Sequence, residues 1–155
     1  MVDVVDKVTR SRMMSGIRGK NTKPEILIRK SLFREGFRYR LHISKFPGKP
    51  DIYFPKYRAV IFIHGCFWHC HECHLFKWPT SNCEFWKKKI TGNRKVDHIN
   101  EENLKERGLR QAIVWECALK GRTKIPLPQL IKKLTNWIRG NRSKIVIAGA
   151  ALRIR

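Results

Sequence analysis

The residues with the clearest potential for chemistry lie in one stretch, His64-Gly65-Cys66-Phe67-Trp68-His69-Cys70-His71-Glu72-Cys73-His74, called the Cys/His stretch below. Seven of its eleven residues are Cys or His, and thiolate and imidazole groups at this density are the ligands that zinc prefers. The stretch also contains two adjacent large aromatic residues, which suit insertion between nucleic-acid bases. It therefore predicts a metal centre beside a surface that contacts nucleic acid.

Spacing alone does not decide which of these residues bind the metal. Cys70 and Cys73 form a Cys-x-x-Cys pair of the kind found in zinc knuckles, and a His together with Cys117 would complete four ligands. Other candidates lie equally close in the chain: Cys66, His69, His71 and His74. Three of the five cysteines stand among histidines, which favours metal ligation in a reducing compartment over disulfides. Cys83 is interpreted as an ordinary buried or half-exposed thiol.

A second group of residues could hydrolyse a phosphodiester bond. This reaction needs a cation that stabilises the transition state and a group that deprotonates water. Asp51, on a predicted strand opposite the strand that ends at His64, is a candidate acid. His69 could be the general base, with Asp97 orienting its ring. Spacing cannot show whether Asp97 reaches His69.

The net charge indicates the partner. Thirty-four Lys and Arg against twelve Asp and Glu give +22, which favours a polyanion over a merely basic surface. A membrane is not expected, because no stretch reaches the roughly 18 apolar residues of a spanning helix. Residues 1–20 lack the apolar segment of a secretory signal, so we expect a cytoplasmic protein. A chain of 155 residues that is 42% apolar is expected to form one domain with its own core.

The first half of the chain predicts a helix and three strands that position these residues. Thr22 can cap a helix that begins near Pro24 and ends at Gly36. Glu25 is either the capping-box partner of Thr22 or an acid that faces a metal site. Residues 37–42, 50–54 and 59–63 predict strands, and the last is a continuous apolar run that belongs in the centre of a sheet.

The second half predicts a helix, a strand and another helix. Residues 84–90 form a short basic and aromatic segment, and residues 93–107 predict a polar helix that uses Ile99 and Leu104 as apolar contacts and ends at Gly108. Residues 112–117 predict a strand and residues 126–139 an amphipathic helix, while a strand at 145–147 stays open. Trp78 and Phe85 are interpreted as core residues. The order of elements predicts an α/β fold with a mixed sheet and helices on both sides.

Three motifs resemble the very short patch repair endonucleases. They are Phe62 to Trp68 followed by His69, the Pro-Gly-Lys-Pro-Asp segment that ends at Asp51, and the Ile-Val-Trp-Glu-Cys-Ala-Leu segment around Cys117. The resemblance extends from about residue 6 to residue 139. It implies a restriction-endonuclease-like core with a structural zinc. It also implies an enzyme that nicks one DNA strand 5′ of the mispaired T in T·G mismatches, which arise when 5-methylcytosine deaminates.

The resemblance implies roles for the residues of the active site. Asp51 would bind Mg²⁺ together with the backbone carbonyl of Ile63, and His69 would be the general base. The implied catalytic set is Asp51, His64, His69, Asp97 and Glu25. The strand of Phe62 and Ile63 lacks the second acid of related nucleases, and the two histidines of the set would replace it.

The resemblance also implies the remaining sites. The zinc ligands become Cys66, His71, Cys73 and Cys117, which leaves Cys70 and His74 without a role. The implied DNA contacts are a wedge of Phe67, Trp68 and Trp86, mismatch contacts from Lys89 and Asn93, and arm contacts from Met14 and Ile17. The expected organisation is a basic DNA-binding arm (1–21), an endonuclease domain (22–140) and a tail of unknown role (141–155).

The expected partner is double-stranded DNA with a T·G mismatch, bound by a monomer in the bacterial cytoplasm at the nucleoid. Mismatch-repair factors and a repair polymerase would suit the later steps of such a repair. Two alternatives stay open at this point: a restriction-like nuclease of other specificity, and a zinc-containing nucleic-acid-binding protein without catalysis.

Overall fold

The computed structural model describes residues 21–150. This range contains three α-helices and a five-stranded sheet: α1 (Lys23–Arg34), β1 (Arg40–Leu41), β2 (Ile52–Phe54), β3 (Ala59–His64), α2 (Cys83–Glu106), β4 (Arg110–Trp115), α3 (Leu127–Arg139) and β5 (Lys144–Ile147). Two short 3-10 helices, Pro55–Tyr57 and Glu116–Ala118, follow β2 and β4. Met14 and Ile17, the predicted arm contacts, lie outside the described residues. Within residues 21–150, no helix is both long enough and apolar enough to cross a membrane.

Helix α1 begins as its sequence predicts. The Thr22 hydroxyl accepts a hydrogen bond from the Glu25 backbone N–H at 3.4 Å, and Pro24 occupies the first turn. The Glu25 carboxylate accepts a hydrogen bond from the Asn21 backbone N–H at 2.9 Å, one residue before the cap. Gly36 ends the helix with φ of +97°, a conformation that glycine adopts without steric cost. The side chain of Glu25 is therefore fixed at the start of the helix.

The sheet is mixed, as predicted, and its strands lie in the order β1-β2-β3-β4-β5. The strands β1, β2 and β3 are antiparallel neighbours, whereas β3, β4 and β5 run parallel. Because β3 and β4 are parallel and pair His64 with Trp115, their carboxyl ends lie at the same edge of the sheet. The segments that follow these two strands must therefore meet, and they carry the Cys/His stretch and Cys117.

The helices cover both faces of the sheet, because successive side chains of a strand point to opposite faces. Ala59 and Ile61 of β3 pack in the larger core, which includes residues of α1 and α3. Val60 and Phe62 of β3 pack on the opposite face with Leu104 of α2. Strand β3 is thus covered on both faces, which explains its continuous apolar sequence.

The structure corrects several boundaries and burial predictions. The segment 84–90 and the helix 93–107 form one helix, α2, and β1 covers only two residues of the predicted strand 37–42. Trp78, Phe85 and Ile99 are not core residues, because they are 40%, 61% and 57% exposed. Cys83 is exposed rather than buried or half-exposed. Strand β5, left open by the sequence, pairs with β4, so the sheet extends into the predicted tail.

Candidate nuclease and metal centre

Asp51 lies beside the end of β3. Its backbone N–H donates to the Ile61 carbonyl at 3.1 Å, and its Oδ2 accepts a hydrogen bond from the Ile63 N–H at 2.7 Å. The antiparallel pairing of β2 with β3 fixes this position, since Asp51 directly precedes Ile52, the partner of Ile61. Asp51 and Ile63 are therefore adjacent, as a shared cation site requires.

The surroundings of Asp51 disfavour an isolated negative charge. Burial raises the pKa of Asp51 to about 7; the Ile63 N–H opposes this shift, and the nearby charge of Glu25 adds to it. Glu25 is 4% exposed, and its Oε2 lies 3.6 Å from Nε2 of His42. The three residues Glu25, His42 and Asp51 offer ligand atoms within 4.8 Å of one another. A divalent cation would offset the repulsion between these two carboxylates, so the residues fit a cation site.

His64 and His69 form a stacked pair. Their ring centroids lie 3.8 Å apart with an angle of 5° between the planes. Burial lowers the pKa of His64 to about 3, with a further decrease from His69, so His64 is neutral near pH 7. Nδ1 of His69 lies 2.5 Å from Oδ2 of Asp97, on α2. Asp97 therefore reaches His69 and orients its ring, which leaves Nε2 of His69 free of this contact.

A cleft of about 660 Å³ brings these groups together. Its lining includes Glu25, Asp51, Ile63, His64, His69 and Trp68. Two carboxylates, two imidazoles and an aromatic ring thus line one open cleft.

The second cluster is a candidate metal centre made of Cys66, His71, Cys73 and Cys117, whose ligand atoms all lie within 4.8 Å of one another. A turn in which the His71 N–H donates to the Cys66 carbonyl at 2.9 Å brings two of them together. Cys117 comes from the 3-10 helix after β4, and its Sγ lies 3.7 Å from Nδ1 of His71. Cys70 and His74 are outside this group, so the geometry does not favour the Cys70–Cys73 pairing suggested by spacing.

The chemistry of this cluster fits zinc. All described cysteines are free thiols, and three thiols with one imidazole form a common structural zinc set. Burial raises the pKa of the Cys66 thiol and of the Cys117 thiol, so their deprotonation needs a compensating positive charge. Backbone N–H groups already point at two sulfurs: Leu75 donates to Cys73 Sγ at 3.4 Å, and Gly149 donates to Cys117 Sγ at 3.2 Å.

Three aromatic side chains form a cluster between the Cys/His stretch and α2. The ring centroids of Phe67 and Trp68 lie 5.5 and 5.9 Å from that of Trp86, and 5.2 Å from each other. All three are half-buried. The Asn93 side chain donates to the Trp68 carbonyl at 3.0 Å, and Lys89 is exposed on the same helix. The structure therefore brings all five predicted DNA contacts of the described region to one side of α2.

Comparison with known proteins identifies the family. The family model described as "DNA mismatch endonuclease Vsr" matches residues 2–75. The chain is 44% identical over 140 residues to the DNA mismatch endonuclease Vsr of Escherichia coli (strain K12), which covers 90% of each chain. The chain belongs to the Vsr family. It is also 48% identical over 122 residues to the type II nicking enzyme V.NmeAIP of Neisseria meningitidis serogroup A, covering 79% of this chain and 87% of that enzyme.

Membership of the Vsr family confirms the resemblance inferred from the three motifs, and it places the chain among DNA endonucleases. A further relative, the type II nicking enzyme V.XorIIP of Xanthomonas oryzae, is 44% identical over 119 residues, 77% of this chain and 88% of that enzyme. The prediction of an α/β fold with a mixed sheet is confirmed by the structure itself.

His42 is the residue of this Vsr-family site that sequence reasoning missed. It appeared only as the end of a predicted strand, whereas in the structure it contacts Glu25 and lies 3.4 Å from the Asn21 side chain. Its backbone N–H donates to the Asp51 carbonyl at 3.3 Å. Its φ of 50° marks an irregular position at the end of β1, which no local sequence pattern predicts.

Proposed function

We propose that this protein nicks one strand of double-stranded DNA on the 5′ side of the mispaired T in a T·G mismatch and so starts very short patch repair. The observation that carries the proposal is the cleft in which Asp51, the His64–His69 pair and Trp68 lie together in a chain of the Vsr family. The net charge of +22 supports binding of a polyanion, and this binding should weaken steeply as salt rises.

Asp51 and the Ile63 carbonyl would hold Mg²⁺, with Glu25 close to them. When bound, Mg²⁺ would neutralise the charge that develops on the scissile phosphate. Oxygen ligands of this kind suit a hard cation. The Ile63 N–H keeps the Asp51 carboxylate in one orientation through its 2.7 Å hydrogen bond.

His69 would act as the general base. Because Asp97 accepts the hydrogen of Nδ1, Nε2 of His69 is the nitrogen that can take a proton from the attacking water. His64 would assist beside the scissile phosphate. As a neutral ring stacked on His69, it limits the movement of the base without placing a second positive charge against it.

The aromatic cluster would enter the duplex at the mismatch. A T·G wobble pair is less stable than a matched pair, so unstacking costs less there than elsewhere. Phe67 and Trp68 would form the wedge with Trp86, while Lys89 and Asn93 would contact the mispaired bases. Met14 and Ile17 of the basic arm (1–21) would add contacts from the other groove.

We further propose that the predicted endonuclease domain (22–140) forms, together with β5, a restriction-endonuclease-like core whose structural metal is zinc. Support comes from the position of Asp51 at the β2–β3 hairpin and from the ligand chemistry of the thiol cluster. Zinc would cross-link the segment after β3 to the segment after β4. This cross-link would restrain the loop that carries His69 and the two wedge residues Phe67 and Trp68.

The direct test is nicking of a panel of duplexes with Mg²⁺ and the purified full chain. T·G duplexes should be nicked in one strand, 5′ of the T, and much faster than the matched duplexes. Equal rates on both would support a restriction-like nuclease of other specificity. An Asp51→Ala variant that nicks as fast as the parent would remove Asp51 from the proposed site, and a parent without any nicking would favour the non-catalytic alternative.

A further inference from the structure

The segment that follows β5 reaches the thiol cluster. The Gly149 N–H donates to Cys117 Sγ at 3.2 Å, across 32 positions of sequence. The next residue, Ala150, donates its N–H to the Thr123 carbonyl at 2.8 Å. Thr123 in turn donates its hydroxyl to the Cys117 carbonyl at 2.9 Å. Gly149 and Ala150 are thus hydrogen-bonded to Cys117 and to Thr123, and Thr123 is itself hydrogen-bonded to Cys117.

Gly149 is required here because of space rather than conformation. A Cβ at this position would lie 2.3 Å from Thr123 Oγ1 and 2.6 Å from the Cys117 carbonyl oxygen. Its φ lies outside the left-handed region, so backbone strain does not call for glycine. Thr123 is 7% exposed and cannot move aside easily. Only a residue without a side chain allows the backbone N–H to approach the sulfur of Cys117 this closely.

We propose that Gly149 is a positioning residue of the metal centre and that the segment 148–150 closes this centre from the C-terminal side. Its N–H would stabilise the negative charge of the Cys117 thiolate and hold Sγ close to the ligand atoms of Cys66, His71 and Cys73, which would bind the ion with it. Groups that hydrogen-bond to metal ligands in this way commonly change metal affinity about 10- to 100-fold when they are removed. The inference rests on the proposed zinc centre, but it does not depend on mismatch nicking.

The first test measures zinc release from the full chain to a chromophoric chelator. Gly149→Ala should release zinc about 10- to 100-fold faster than the parent. Gly92→Ala is the matched control, because a Cβ at Gly92 meets nothing within 4 Å, and it should release zinc at the parental rate. Equal release from Gly149→Ala and the parent would overturn the proposal.

The second test reads the hydrogen bond itself, without a mutation. In the full chain loaded with ¹¹³Cd, an amide proton bonded to a metal-bound sulfur shows scalar coupling to the metal. We expect such coupling for Gly149, and for Leu75 as the internal control, since its N–H donates to Cys73 Sγ. Coupling at Leu75 without coupling at Gly149 would overturn the proposal. A full chain that purifies without zinc and takes up no cadmium would overturn the metal centre instead, whatever its activity on T·G duplexes.

Discussion

Replacing Asp51 with Asn should remove a pH dependence of stability that this partly buried carboxyl group imposes. Its pKa of about 7 in the folded chain, against 3.8 for an ordinary Asp, means that the folded state holds a proton that the unfolded state has already lost. Because the folded pKa is raised, this contribution to stability is present at low pH. It is lost as the pH rises from about 4 to about 7.

The size of the effect follows from the pKa difference. Each unit corresponds to about 1.4 kcal/mol, so between pH 5 and pH 8 this one group lowers the free energy of unfolding by about 2–3 kcal/mol. The Asn side chain keeps an oxygen that can accept the Ile63 N–H but does not titrate. The free energy of unfolding of Asp51→Asn should therefore fall less than that of the parent between pH 5 and pH 8. The variant should be more stable than the parent at pH 8.

The assay is urea unfolding of the full chain from pH 5 to pH 8 in buffers free of divalent cations, without a chelator that would remove zinc. Mg²⁺ added at pH 8 should stabilise the parent but not Asp51→Asn, because the cation binds only the folded carboxylate. Glu102→Gln, a change of an exposed acid on α2, is the control and should follow the parental profile. Parallel profiles for parent and Asp51→Asn, or equal stabilisation of both by Mg²⁺, would refute the reasoning.

The remaining predictions concern catalysis, zinc and DNA. His69→Ala should lower the single-turnover nicking rate about 100- to 10,000-fold. Asp97→Asn should lower it less; an unchanged rate in both variants would exclude the proposed base. Cys117→Ser should lose zinc, measured by metal analysis, and lower the free energy of unfolding by about 3 kcal/mol or more, whereas Cys70→Ser should keep both. The reverse result would restore the spacing-based ligand pair. Trp68→Ala should weaken binding to a T·G duplex by about 1–3 kcal/mol in a fluorescence anisotropy titration, with a smaller loss on matched DNA. An equal loss on both duplexes would remove Trp68 from the wedge.

Local sequence patterns predicted the helices and strands whose formation depends on residues close together in the chain. The cap of α1 depends on Thr22 and Glu25, which are three residues apart, and β3 depends on a continuous apolar run covered on both faces. The sequence pattern failed at α2, which it divided into a segment at 84–90 and a helix at 93–107. In the structure the helix runs through Thr91 and Gly92, and the Thr91 hydroxyl donates to the Lys87 carbonyl at 2.5 Å.

The metal cluster shows why spacing is a weak guide to ligands. Cys70 stands at a corner of the turn with φ of 54°, and the hydrogen bond from His71 to Cys66 directs those two residues to the same side. The fourth member, Cys117, arrives through the parallel register of β3 with β4, which is a contact between distant parts of the chain. The resemblance to a family named the four residues that the structure brings together, which neither periodicity nor spacing had singled out. It did not supply His42, whose contact with Glu25 depends on the irregular end of β1.

An insertion or deletion in the Cys/His stretch would disrupt the contacts that its residues make with other parts of the protein. Trp68 packs against Trp86, His69 contacts Asp97 and His71 lies against Cys117, so neighbouring positions serve three different partners. A single inserted or deleted residue between Gly65 and Cys73 would move an aromatic ring, an imidazole or a thiol away from the residue that it contacts. Natural variants of this stretch should therefore differ by substitution, at positions such as Cys70, and keep the same number of residues.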